Sequence, residues 1–577
     1  MCKNTMPGTH PFIPSQEGNG ELNSPALKRG IYKIQRGPHS KKDREKKMRK
    51  FSSYGPVDTE LHYYAPRNEM TEKAYMQLTG ENPDKGGHYI TVWAPRQAGK
   101  TWIMQQVVKK IREQGDFEVG IISMQSARNE TAEKGILELF VSRLEEWFGR
   151  KLPETASPKY LAKLFAKANF EKPLILILDE FDALREDFIN KFANEFRHMY
   201  LSRQNEAHRP SGEKNCLLHG LALIGVRSVL GIENVSGSPF NVQRGLHIPN
   251  LTYDEVSGMF AWYEKESGQR IETDVVKRLF YETQGQPGLT CWLGELLTET
   301  YNTDKNKPIT MALFDDVFRM AVQALPNNNI LNIISKAKQE PYKKTVLDLF
   351  RTSEKTEFAF DDTHLNFLFM NGVIGTEKTG DGLYVKFPSP FVQKRLFNYF
   401  SRELFGDTGK THEPFDDLSD TLTEDHLHMK NLIRRFETYL KTNREWLLQD
   451  APRRKDLRIF EAVYHFLLYR WLCDFLGRKY ARVWPEFPTG NGKVDIFIRY
   501  GEKTYAMEIK SWTSERDYKD AQDQAAQYGK QLGLAEISLV FFVEYIDDAN
   551  REKYEKDYTD AESSVLVETV FAETGRD

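Results

Sequence analysis

The stretch Tyr89-Ile-Thr-Val-Trp-Ala-Pro-Arg-Gln-Ala-Gly-Lys-Thr101 decides how the N-terminal half of the chain is read. Tyr89–Trp93 is an apolar run with strand character. Ala94-Pro-Arg-Gln-Ala-Gly-Lys-Thr101 then follows the pattern GxxxxGK[ST], with Ala94 where the first Gly usually stands, and an apolar helical period runs from Thr101 to Glu113. Phosphate binding requires this order of strand, tight loop and helix N-terminus. Loop amides cradle the phosphate, and the helix dipole favours its charge. Ala94, Arg96, Gln97, Ala98 and Gly99 are the loop candidates. Lys100 would reach the β- and γ-phosphates, and Thr101 would ligate Mg²⁺.

A second element strengthens the first. Leu174-Ile-Leu-Ile-Leu178 runs directly into Asp179-Glu180, a buried strand ending in two acids. Asp179 would hold Mg²⁺ through water and Glu180 would polarise an attacking water, which points to hydrolysis of ATP or GTP. Leu221–Val226 is a further predicted strand, ending at Arg227-Ser228. Arg227 or Arg244 is a candidate to stabilise transition-state charge in phosphoryl transfer. With Glu118–Ile122 and Gly245–Ile248, these strands alternate with helical patterns at Thr131–Phe148 and Asp187–Met199. Such alternation predicts an α/β fold with a parallel sheet covered on both faces. Helices are expected over 252–300, opened by the capping-box pattern Thr252-Tyr-Asp-Glu255.

On these residues, 51–300 resembles the AAA-like (STAND/ORC-related) bacterial P-loop ATPases. Further matching stretches are Tyr54-Gly-Pro-Val-Asp58, His62-Tyr-Tyr-Ala-Pro-Arg67, Leu178-Asp-Glu-Phe-Asp182, Ser238-Pro-Phe-Asn-Val242 and Gly285-Gln-Pro-Gly288. The resemblance implies an ASCE-type sheet at 51–250 and a helical lid at 251–325. It also implies an adenine near Tyr63–Arg67, and a lid helix opened near the nucleotide by Gly285-Gln-Pro.

Beyond the lid, Leu365-Asn-Phe-Leu-Phe-Met-Asn-Gly372 reads as a helix. A strand follows, then the turn Lys378-Thr-Gly-Asp-Gly382 and a second strand at Leu383–Phe387. Helix plus hairpin over 326–404 resembles a winged helix, able either to bind DNA or only to pack on the ATPase. Residues 405–425 read as a linker, since Glu413–Asp425 holds six acids and no base.

Residues 426–577 form a last α/β unit. Lys493–Tyr500 and Thr504–Lys510 are strands flanking the turn Gly501-Glu-Lys503. Side chains alternate along a strand, so Val494, Ile496 and Ile498 share one face and leave Asp495 on the other. Tyr505, Met507 and Ile509 likewise leave Glu508 and Lys510 opposite them. A hairpin would bring Asp495, Glu508 and Lys510 together. Two carboxylates suit Mg²⁺, and a lysine beside them can orient or deprotonate water and stabilise charge on phosphate. The spacing D-x12-E-x-K resembles the core of PD-(D/E)XK nucleases, with Val494 in place of the usual proline. In support stand a helix predicted at Asp456–Leu476 and Gln524-x-x-x-Tyr528 on a later helix. The resemblance implies a further acidic metal ligand from the first helix, Glu461; Glu486 is its rival.

Composition sets limits. The chain has 577 residues with a formal net charge of -3, so a globally basic nucleic-acid coat is excluded but a local basic groove is not. Residues 28–50 carry 11 Lys/Arg against 2 Asp/Glu in a tail expected to be disordered. No apolar run approaches the length of a membrane span. Four scattered cysteines and no CxxC argue against zinc or disulfide frameworks, and fit a reducing, cytoplasmic setting. The sequence thus implies ATP and Mg²⁺ as cofactors and nucleic acid as partner, DNA in preference to RNA, with self-association possible. Two competing readings use the same residues: a switch whose nuclease-like unit binds without cleaving, and an ATPase that loads onto DNA.

Overall fold

The computed structural model describes residues 48–575, apart from 226–243, 351–355, 381, 413–415, 454–458, 478–480, 489–492 and 513. Residues 1–47 of the tail, Arg227, Ser238–Val242 and Leu457 therefore lie outside the described residues, as do the side chains of Glu461, Glu486 and Val494. The tail's last residues are ordered, with Arg49 paired to Glu266 and Lys50 to Glu299, each at 3.2 Å.

Five parallel strands build the first sheet: β1 (Tyr89–Trp93), β2 (Glu118–Ser123), β3 (Leu174–Asp179), β4 (Leu218–Gly225) and β5 (Arg244–His247). Their order is β2-β3-β4-β1-β5, so β4 lies between the strand that feeds the phosphate loop and the strand that ends in Asp179. Alternate side chains of β3 supply two cores. Leu174, Leu176 and Leu178 pack with Phe140, Phe192 and Phe196, while Ile175 and Ile177 pack with Ile103 and Val107 on the opposite face. Burial on both sides explains why β3 is a continuous apolar run up to Asp179, whereas the edge strand β5, Arg-Gly-Leu-His, is mostly exposed.

The lid begins at helix Tyr253–Ser267, where Thr252 and Glu255 form the expected capping box. Helices Thr273–Thr283, Pro287–Glu295 and Met311–Gln323 follow. The middle module holds helices Asn328–Ala337, Tyr342–Asp348 and Thr363–Met370, a hairpin of β6 (Gly375–Thr379) and β7 (Gly382–Lys386), and helix Pro390–Leu404.

Helix Pro390–Leu404 is the hub of this region. Lys394 reaches back to Glu282 of the lid with Nζ–O distances of 2.7 and 2.8 Å. Arg395 donates to the carbonyls of Ala321 and Leu325, which end the next lid helix, at 2.8 and 3.0 Å. In the other direction Phe397 packs edge-on against Phe466 and Tyr469 of the C-terminal unit, with ring centroids 4.8 and 5.3 Å apart.

The C-terminal unit is a six-stranded sheet with helices on both faces. Its strands are β8 (Ala481–Pro488), β9 (Lys493–Tyr500), β10 (Lys503–Ser511), β11 (Glu536–Val543), β12 (Tyr558–Thr559) and β13 (Leu566–Glu573), in the order β12-β13-β11-β10-β9-β8. β8, β9 and β10 pair antiparallel, and β10, β11 and β13 pair parallel. Ile496, Ile498, Met507 and Ile509 join one core with helices Met429–Leu447 and Glu461–Phe475. Ala506, Leu539 and Phe541 join another with helix Glu515–Leu532. The first of these cores is continuous with the lid and the middle module.

Two expectations change. Residues 405–425 are not a free tether. Thr408 Oγ1 donates to Asp474 at 2.7 Å, Arg435 binds Asp420 at 2.5 Å, and Thr421 has no exposed surface. The predicted helix Asp456–Leu476 begins only at Glu461, because Ile459 forms a bridge with Arg453. Glu461 thus opens a helix, where the dipole favours a carboxylate. An acid at this position does not by itself require a metal.

Phe466 has no exposed surface and stacks among Phe350, Phe397 and Phe400. Phe466→Ala should cost about 3–5 kcal/mol and lower the urea midpoint of lid, middle module and C-terminal sheet together. Loss of the C-terminal signal alone, in unfolding followed by hydrogen exchange, would contradict a shared core.

Candidate functional site

The phosphate loop turns sharply after β1. Gln97 and Gly99 both take positive φ, 57° and 87°, whereas Ala94 is not among the positive-φ residues and is fully buried. The loop therefore does not need a glycine's freedom at position 94, which accounts for the departure from the pattern. Helix Lys100–Gln114 starts at once, directing its first-turn amides toward the loop. Lys100 Nζ lies over the loop and donates to the carbonyls of Ala94 and Pro95 at 2.7 and 2.9 Å. Burial pushes its pKa down to about 8, against the opposing pull of Asp182 and Asp179.

The interposed strand β4 does not separate the two motifs. Thr101 Oγ1 donates to Asp179 Oδ2 at 2.6 Å, so the hydroxyl and the acid proposed to share Mg²⁺ meet. Asp179 is buried, and its other oxygen accepts the Glu180 amide at 2.9 Å. Glu180 itself sits at φ 53°, a conformation costly for a residue with a side chain and frequent at functional sites. Ser123 at the end of β2 donates to Glu180 Oε2 at 3.0 Å. Sequence reading missed Ser123, since a serine ending an edge strand carries no motif. Arg244 pairs with Glu81 at 2.9 Å on the surface.

The lid closes on the loop as expected from Gly285-Gln-Pro-Gly288. Gln286 Nε2 donates to the Arg96 carbonyl at 3.0 Å, and the Gly288 amide donates to that of Gln97 at 3.1 Å. A Cβ at Gly288 would lie 2.6 Å from Gln97 Cβ, an atom fixed to the loop backbone, so glycine suits this approach. Tyr64 packs edge-on against both Trp102 and Trp262, and Arg67 pairs with Glu255 at 3.1 Å. The segment 63–67 thereby joins the phosphate-loop helix to the lid. The middle module also reaches the loop, which the sequence did not suggest. Gly372, at φ 71°, would bring a Cβ to 2.9 Å from Pro95 Cβ, and Phe369 packs against Trp93.

In the C-terminal unit, the register pairs Met507 with Ile496, so the next residues along, Glu508 and Asp495, face each other on the opposite side of the sheet. Both carboxylates are buried, at 2% and 4% exposure. Lys510 Nζ lies 2.9 Å from Glu508, and Asp495 Oδ2 accepts the Ile509 amide at 2.7 Å. Burial alone would lower the Lys510 pKa, but Glu508 and Asp495 outweigh it and hold it above its usual value. The same face is covered by helix Glu515–Leu532, where Gln524 donates to the Tyr528 hydroxyl at 2.7 Å. Tyr528 is raised by burial and then by Glu508, which places it beside the carboxylates. The structure thus gathers Asp495, Glu508, Lys510 and Tyr528.

Among the described residues, no group of three or more His, Cys, Asp or Glu side chains could hold a metal. Two buried carboxylates nevertheless fit Mg²⁺, which is commonly held by one or two carboxylates with waters and phosphate oxygens completing its shell.

With this geometry in view, the comparisons are direct. Residues 52–305 match the family described as AAA-like domain. This region, less than half of the chain, is similar to AAA-like domains and carries the phosphate-loop geometry described above. No curated protein matches the chain. Among solved structures, a Walker-type ATPase of Pyrococcus abyssi is 14% identical, covering 60% of this chain and 99% of that one, with a TM-score of 0.41. The Aeropyrum pernix ORC2 protein in ADPNP–ADP complexes is 15% identical over 58% of this chain and 94% of that one, with a TM-score of 0.34. The Thermotoga maritima RuvB Holliday junction branch migration motor is 12% identical over 56% of this chain and 92% of that one, with a TM-score of 0.31. These likenesses are distant; the assignment rests on the matched residues and the loop geometry. No helix among the described residues is long and apolar enough to cross a membrane.

Lys100→Ala should abolish nucleotide binding in calorimetry. In the wild type, Lys100 loses its charge as pH rises through about 8. Bound phosphate favours the ammonium, so ATP binding should take up a proton and weaken by up to about tenfold per pH unit above that point. A pH-independent affinity up to pH of about 9.5 would contradict the assignment.

Proposed function

We propose that the protein binds and hydrolyses ATP at the first site and cleaves phosphodiester bonds of nucleic acid, with Mg²⁺, at the second. The observation that carries the second half is the convergence of Asp495, Glu508 and Lys510 on one buried sheet face. At the first site Lys100 and the loop amides would neutralise phosphate charge, Thr101 and Asp179 would hold Mg²⁺, and Glu180 would orient the attacking water. At the second site Asp495 and Glu508 would hold Mg²⁺, with Glu461 or Glu486 as a further ligand. The metal, when bound, supplies Lewis-acid stabilisation of the phosphate and an acidified water. Lys510, kept cationic by its two neighbours, offsets charge developing on the phosphate, and Tyr528 borders the same space. DNA is favoured over RNA as substrate, and defence against foreign DNA is a role consistent with such a fusion by analogy only.

Having only two described carboxylates at the second site favours one alternative, in which the unit grips nucleic acid or a partner without cleaving it. A purified-protein matrix separates the two. It would combine ATP or a non-hydrolysable analogue, Mg²⁺ or Mn²⁺, and single-stranded, duplex and RNA substrates. Metal-dependent cleavage that Glu508→Ala and Lys510→Ala each abolish without unfolding the chain supports the nuclease. Cleavage retained in both variants refutes the site. Glu180→Gln should lower ATP turnover about a hundredfold or more while leaving nucleotide affinity intact; unchanged turnover would remove Glu180 from the reaction.

A further inference from the structure

A cavity of about 540 Å³ lies at the seam between the lid, helix Pro390–Leu404 and strands β8–β10. Its sheet wall belongs to the same face as the carboxylate site. On β9, Asp495, Phe497 and Arg499 are two residues apart, so they project to one side. Phe497 and Arg499 line the cavity, and Asp495 lies one strand repeat, about 7 Å, beyond Phe497. The cavity therefore lies on the sheet face that carries Asp495 and Glu508.

The chemistry of the wall is specific. Trp484 on β8 stands directly opposite Phe497, with ring centroids 5.7 Å apart, and forms an aromatic floor. Arg482 stands directly opposite Arg499. Like charges opposed across two strands repel, and an anion between them removes that repulsion; Asp316 of the lid approaches Arg482 only at 4.0 Å. From the helical side Asn398 lines the cavity at 5% exposure, and its amide nitrogen has no hydrogen-bond partner among the described residues. An amide offers a donor and an acceptor together, the combination that reads a nucleobase edge.

We infer that this cavity seats one unpaired nucleotide of a single-stranded nucleic acid whose adjoining phosphodiester lies over Asp495 and Glu508. The base lies against Trp484 and Phe497, its edge meets Asn398, and Arg482 and Arg499 take the backbone phosphates. Stacking on aromatic rings beside cations is the general mode of single-strand binding. Helix Met311–Gln323 forms part of the wall, so the lid of the ATPase touches the bound strand. This inference rests on the nuclease reading for what happens to the strand, not for the binding itself.

The test uses the full chain in metal-free buffer and a fluorescein-labelled single strand of about 20 nucleotides, with the matching duplex as control. Trp484→Ala and Asn398→Leu should each weaken single-strand binding by about tenfold in anisotropy, with duplex binding little changed and ATP turnover intact as a check of folding. In parallel, photocrosslinking of a bromouracil-substituted strand to the wild type should give adducts at Trp484 or Phe497, a readout that needs no variant to fold. Wild-type affinity in both variants, or adducts found only elsewhere, overturns the proposal. Adducts at Trp484 without any Mg²⁺-dependent cleavage would sustain the cavity and reject the nuclease. Cleavage abolished by Glu508→Ala, together with binding unmoved by both cavity variants, would do the reverse.

Discussion

A carboxylate with no exposed surface, Glu282, is held by two cations, Lys394 at 2.7 Å and Arg278 at 3.0 Å. Removing charges from water is expensive, and such a group persists only where its partners are fixed in place. Glu282 belongs to the lid and Lys394 to the helix that also packs on Phe466, so this one set of charges fixes the ATPase lid to the C-terminal core. Removing either cation would leave a buried carboxylate undercompensated, a loss of about 3–5 kcal/mol by comparison with other buried pairs. The seam, the cavity within it and the approach of the middle module to the phosphate loop all depend on this anchorage.

Much of the candidate nucleotide site was legible because its chemistry is local in sequence. Lys100 and Thr101 are adjacent, Asp179 follows an unmistakable apolar strand, and Gln286 stands in a Gly-Gln-Pro-Gly context. The β9–β10 hairpin was legible for the same reason: alternation alone puts Asp495, Glu508 and Lys510 on one face. Contacts made by unpatterned residues were not legible. Nothing in Gly372 announces Pro95 as its neighbour, and Ser123 is an ordinary serine until β2 pairs with β3. The strand order that inserts β4 between β1 and β3 likewise depends on tertiary packing, because all three are almost wholly buried. The start of helix Glu461–Phe475 was misplaced because helical periodicity extended through Ile459, which its bridge with Arg453 takes out of the helix.

The two sites differ in how their acids are arranged. At the phosphate loop the acids stand at the end of a strand, beside a helix N-terminus that supplies positive potential. In the C-terminal sheet the carboxylates stand within the strands, and Lys510 supplies the compensating charge through a side chain. The first arrangement would meet an anion with backbone groups that cannot titrate. The second concentrates negative charge that a divalent cation and a phosphate can share.

The backbone of Glu180 has a consequence for how the chain can vary. A residue with a side chain at φ 53° carries strain of about 1–3 kcal/mol, and glycine would carry almost none. Replacing the acid with glycine would therefore tend to raise the melting temperature while removing the carboxylate. If Glu180 acts as proposed, fold stability and turnover would pull in opposite directions at this position, and variants recovered for heat resistance alone would be drawn toward an inert form.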